Sequence, residues 1–103
     1  MKNILLVLMV FVLASCASTQ FMKTGDETFS QLGDNCEFKI YTTNPKKEFD
    51  EIGLVEFGGI IENLSSLKKE AAPYVCRTGG NAILAWEVNG YGRYLKATII
   101  RTK

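Results

Sequence analysis

Three side chains in the 103-residue sequence carry a thiol, Cys16, Cys36 and Cys76, and there is no histidine at all. The commonest general base and the commonest metal ligand are therefore both missing. Ser65-Ser66 has no base partner, which makes capping or surface its expected role rather than nucleophilic attack. Asp50 and Glu51 are adjacent, unlike two catalytic carboxylates held across a fixed gap. Gly58-Gly59 and Gly79-Gly80-Asn81 match neither the GxGxxG nor the P-loop spacing and read as structural punctuation. Cys36 and Cys76 together with Asp or Glu form a conceivable zinc set, but two distant cysteines without histidine fit a disulfide better. These residues lead to the expectation of a non-enzymatic protein with no catalytic residue, no cofactor and no metal site.

The remaining thiol sits in a different context. Lys2 is the only charge before Cys16, and Ile4 to Leu13 is an unbroken apolar run of ten residues. As a helix that run is roughly 15 Å long at about 1.5 Å per residue, half of a ~30 Å hydrocarbon core. Small residues follow at Ala14 and Ser15. Charge, apolar run and small residues make the tripartite pattern of an export signal. Leu13-Ala14-Ser15-Cys16 resembles the lipobox of bacterial lipoproteins. The resemblance implies cleavage before Cys16, diacylglycerol on its thiol and a further acyl chain on its nitrogen. Residues 1–15 would then be a removed signal peptide. Two or more acyl chains anchor durably, at ~0.8 kcal/mol per buried CH₂. Ala17 and Ser18 stand where the family places an inner-membrane retention Asp. In a Gram-negative source the implied location is thus the outer membrane, facing the periplasm.

With Cys16 committed to lipid, Cys36 and Cys76 remain as an even pair in an exported chain, where disulfides persist. The formal charge is +1. Lys46-Lys47 and Lys68-Lys69 are isolated pairs, so no basic patch suggests nucleic acid. Asn63-Leu64-Ser65 matches a glycosylation acceptor, a match the lipobox makes irrelevant.

The elements that must position these residues follow in order. Residues 16–31 read as the lipidated cysteine and a polar tether, reaching about 20 Å as a random coil. Phe21, Met22 and Phe29 are unusual in a linker and are candidates for docking on the domain or the membrane. Residues 32–103 form the expected domain. Cys36, Phe38 and Ile40 alternate with Glu37, Lys39 and Tyr41, the period of a half-buried strand. A second strand is expected over 51–57, with Ile60-Ile61 either extending it past a bulge or leading into a helix. Asn63 caps that helix, and Leu64, Leu67, Ala71 and Val75 form its apolar stripe. Pro73 requires a kink or a restart, and Gly79-Gly80 a stop. Residues 81–88 and 94–101 are strands joined by a turn at Asn89-Gly90-Tyr91-Gly92. The expected fold is α+β, a small mainly antiparallel sheet packed on one helix, in the order strand, strand, helix, strand, strand.

The stretch Leu67 to Ala72, followed by Gly79-Gly80-Asn81-Ala82-Ile83-Leu84, resembles small domains of the YbjQ-like structural group. That group includes the stress-sensor lipoprotein of the Rcs phosphorelay. The resemblance spans roughly Cys36 to Arg101 and implies short strands paired with one helix and braced by disulfides. This chain has two domain cysteines rather than four and no long proline-rich tether, and no functional residue carries over. Around the hairpin, Tyr91, Arg93 and Tyr94 are the candidate partner-binding residues, since aromatic and Arg side chains are enriched at binding hot spots. Trp86 beside them is expected in the core. The sequence thus describes an envelope lipoprotein held to the membrane through Cys16, with a domain that binds or senses an unknown envelope protein or component. The competing classes are a metal-binding module, a small enzyme and a purely structural envelope protein.

Overall fold

A computed structural model describes residues 18–88 and 92–103. The signal segment, the Leu13–Cys16 box and the turn residues 89–91 lie outside the described residues.

The helix, α1, runs from Leu64 to Thr78. Asn63 Oδ1 accepts from the Ser66 N–H at 2.8 Å, satisfying one of the amides that a first turn leaves free. Leu67, Ala71 and Val75 are each fully buried along the expected stripe, while Leu64 stays 41% exposed. Pro73 sits inside the helix at an exposed position, and the helix continues through it without a restart. Gly79 ends α1 in the left-handed region at φ 77, with its N–H on the Val75 carbonyl. The Gly80 N–H reaches the same carbonyl at 3.0 Å.

Five strands form one sheet: β1 (Gln20–Lys23), β2 (Lys39–Tyr41), β3 (Phe49–Ile61), β4 (Ala82–Glu87) and β5 (Tyr94–Thr102), in the spatial order β1-β3-β5-β4-β2. The expected α+β class with one helix among the described residues is what the chain forms. Two finer expectations are corrected. Three strands precede the helix rather than two, and the sheet is mixed because β2 pairs parallel to β4. The physical reason is that β2 and β4 are separated by β3 and α1, so no turn residue between them announces the pairing. The additional strand, β1, lies within the stretch read as tether. It pairs antiparallel with β3, Gln20 opposite Glu56 and Lys23 opposite Gly53.

One face of the sheet packs on α1. Val55, Ile83, Ala85, Ala97 and Ile99 meet Leu67, Ala71 and Val75 there in one apolar cluster. The register slips between Glu51 and Gly53, opposite Ile100 and Ile99. Ile52 is the extra residue of this bulge and turns into the core, 3% exposed. Phe21 from β1 lies over Gly53, where a Cβ would collide with its ring. Its ring also stacks on Tyr74 of α1, centroids 6.4 Å apart. Docking by Phe21 thus adds side-chain packing to the backbone ladder that holds β1 against β3.

The other face carries no helix among the described residues. Strand alternation puts Glu56, Lys96 and Trp86 in one cross-strand row and Leu54, Thr98, Leu84 and Tyr41 in the next.

Candidate functional site

Cys36 lies just before β2 and Cys76 in the last turn of α1. The Cys36 N–H bonds the Gly33 carbonyl at 3.0 Å, closing a turn, and the Leu32 N–H bonds the Cys76 carbonyl at 2.7 Å. These contacts bring the two Cα atoms to 5.7 Å, and the sulfurs form a disulfide spanning 40 residues. Cys76 is 1% exposed. The expected bridge is therefore present, tying the start of the parallel edge strand to the helix end. The zinc alternative loses its two thiolates to this bond. Among the described residues, no three Cys, Asp or Glu side chains gather as a cation site would require.

Of the three candidate partner-binding residues, the described two, Arg93 and Tyr94, differ in exposure. Tyr94 is 3% exposed and belongs to the core cluster with Phe57 and Leu67. Its placement on a recognition surface is corrected: the register opposite both Ile61 and Glu87 turns the ring inward. Its Oη donates to Glu87 Oε1 at 3.5 Å. Burial first, and then the negative charge and hydrogen bond of Glu87, push the Tyr94 phenol above its usual value. Arg93 is exposed, and its carbonyl accepts from the Val88 N–H at 2.7 Å, narrowing the hairpin. Tyr91 lies outside the described residues.

Trp86 is where the sequence reading and the structure differ most. It is 50% exposed on the open sheet face rather than packed in the core. Ile83 and Ala85 take the helix-facing positions of β4, and alternation sends Trp86 the other way. Its indole Nε1–H donates to Thr98 Oγ1 at 2.8 Å. The Lys96 ammonium stands 5.4 Å from the ring centroid, within cation–π range. A half-exposed indole is thus held in place by a hydrogen bond to Thr98 and by the Lys96 cation over its ring. The signal that could have located it was the short alternation Ile83-Ala85 against Leu84-Trp86, which an unbroken apolar run obscures.

A depression of about 370 Å³ opens along β2, lined by Phe38, Lys39, Tyr41, Lys47, Asn81 and Thr102. Its lysines are exposed, so the lining offers solvated charge rather than a desolvated acid or base. The groove between β3 and β5, at Glu56, Phe57, Leu95 and Lys96, has a volume of about 310 Å³. It lies beside Trp86, because Lys96 pairs with both Glu56 and Trp86. The candidate site is this end of the open face. Its chemistry is that of contact, an aromatic and aliphatic surface with charges of both signs, with no nucleophile–base pair among the described groups at the groove. Comparison with protein-family models, with curated proteins and with solved structures finds no match to this chain.

Proposed function

We propose that this chain is a lipid-anchored bacterial envelope lipoprotein whose domain binds or senses an envelope protein or component without catalysis. The observation that carries the reading is Leu13-Ala14-Ser15-Cys16 directly after the apolar run from Ile4. The Cys36–Cys76 disulfide supports it, since such bonds persist in oxidising compartments. The exposed Trp86 held by Thr98 and Lys96 supports binding over a purely structural role, because a rigid exposed aromatic is a common interface anchor. In this reading the mature chain starts at Cys16 and faces the periplasm from the outer membrane of a Gram-negative cell.

The test is replacement of Cys16. In wild-type cells the mature protein partitions with membranes and its mass exceeds that of the peptide by the acyl groups. Cys16→Ala releases it from the membrane fraction and removes the added mass. Unchanged partitioning and mass in the variant would refute the anchor. Crosslinking in cells then reads the partner: a specific crosslinked species supports binding, and its absence points to a purely structural role.

A further inference from the structure

Thr19, where the chain enters β1, and an apolar rim lie at the same end of the domain. β1 is antiparallel to β3, with Gln20 opposite Glu56. Running back from Gln20, the chain therefore heads in the direction in which β3 runs forward, towards Ile61. The Gly58 N–H donates to Thr19 Oγ1 at 3.2 Å, one step further along that path. From Thr19 to Cys16 there are three peptide steps. A chain spans at most ~3.3–3.6 Å per residue, so the Cys16 Cα lies within about 11 Å of Thr19.

That end is also where exposed apolar side chains collect. Ile60 is 53% exposed, Leu95 44%, Leu64 41% and Trp86 50%. The register explains the gathering. Ile61 pairs with Tyr94, which places Ile60 and Leu95 at the same level, and α1 begins at Leu64 just beyond. Trp86 lies in the adjoining row with Lys96 and Glu56. Glu56, Glu62, Glu87, Arg93 and Lys96 surround the rim with both signs of charge, so any attraction to a surface there is chiefly apolar.

We propose that this end of the sheet rests on the bilayer that holds Cys16, with Ile60, Leu64, Leu95 and Trp86 among the lipid headgroups. The proposal builds on the lipidation of Cys16 argued above. The occupant is the lipid surface itself. An intrinsically weak rim suffices, because an anchor within about 11 Å of Thr19 makes contact an intramolecular event with a high effective concentration. Indole rings settle at the headgroup level, and the Lys96 stem can lie along the apolar layer while its ammonium reaches phosphate.

Trp86 is the only tryptophan in the chain, so its emission reports this rim alone. The experiment uses the lipidated protein in zwitterionic phosphatidylcholine vesicles, with flotation and Trp86 fluorescence measured on the same sample. The expected result is co-flotation, a blue-shifted emission and quenching by bromine atoms carried on the acyl chains. The Ile60→Glu, Leu95→Glu double variant changes two exposed positions. It should float equally, melt at the same temperature as wild type and lose both the shift and the quenching. A protein that floats while its Trp86 emission matches that of soluble Cys16→Ala protein overturns the docking and leaves the anchor standing. A blue shift without quenching from the acyl chains overturns it in favour of a second copy covering the rim. Failure to float overturns both the anchor and the docking.

Discussion

Gly79 and Gly92 both hold positive φ, 77 and 71, yet their surroundings differ. A Cβ on Gly79 would come within 2.5 Å of the Ser30 carbonyl oxygen and 2.8 Å of Phe29 Cβ, whereas Gly92 faces open space. Left-handed backbone costs a non-glycine residue roughly 1–2 kcal/mol. Gly92→Ala should lose about that much stability in denaturant titrations, and Gly79→Ala should lose more, because the helix end or the 29–30 backbone must also give way. Equal losses would show that the segment before β2 yields without cost. Tyr94 supplies a second residue-level expectation. Its phenol proton is held more tightly in the folded protein than the usual value near 10, so the native state retains it while the unfolded chain loses it. Stability is therefore complete below pH 10 and falls as pH climbs above it. Tyr94→Phe should flatten that alkaline decline; a difference between the two proteins that does not change with pH would contradict it. Residue chemistry was legible where it was local, in the Asn63 cap and the stop at Gly79, and the Cys36–Cys76 pairing was legible because only two cysteines remained to pair once Cys16 was set aside. The burial of Tyr94 was not, because it depends on strand parity across a register shift in the hairpin, between Trp86 and Glu87, and the exposure of Trp86 was hidden by the unbroken apolar run in which its alternation sits.

Among the elements, the hairpin β4–β5 and α1 were readable because their determinants are adjacent in sequence: a turn dipeptide, a cap and a stripe at helical spacing. β1 and β2 were not. β1 has four residues and is held by an aromatic that covers Gly53, a contact across more than thirty positions. β2 has three residues and takes its place by parallel pairing with β4, which no intervening turn encodes. So short an edge strand has few ladder bonds of its own. The Cys36–Cys76 bridge fixes the chain just ahead of it to the buried end of α1. For a 40-residue loop the chain-entropy model gives about 4 kcal/mol, an upper figure. A Cys36→Ser, Cys76→Ser double variant should melt well below wild type, since each kcal/mol shifts the midpoint by about 4–8 °C in a domain of this size. Hydrogen exchange should show the loss first at Lys39–Tyr41. If protection fell evenly over the whole sheet, the bridge would be stabilising the fold globally rather than this edge.

At the scale of the whole molecule, the sheet is assembled out of sequence order. β3 and β4 flank the helix in the chain, yet both pair with β5, which lies between them and comes after all the other strands. Ile99 and Ile100 on that strand are fully buried, so the core of the domain is completed by its latest residues. A chain ending at Arg93 has β1, β2, β3, α1 and β4 but leaves β3 and β4 without their shared neighbour. It should be cut rapidly by protease under conditions in which the 103-residue chain resists. Resistance of the shorter chain would mean that β3 and β4 can pair directly. The keystone strand is thus the last to leave any channel that delivers the polypeptide from its N-terminus. Until it emerges β3 and β4 lack their shared neighbour, and the five-stranded sheet cannot close within the pore.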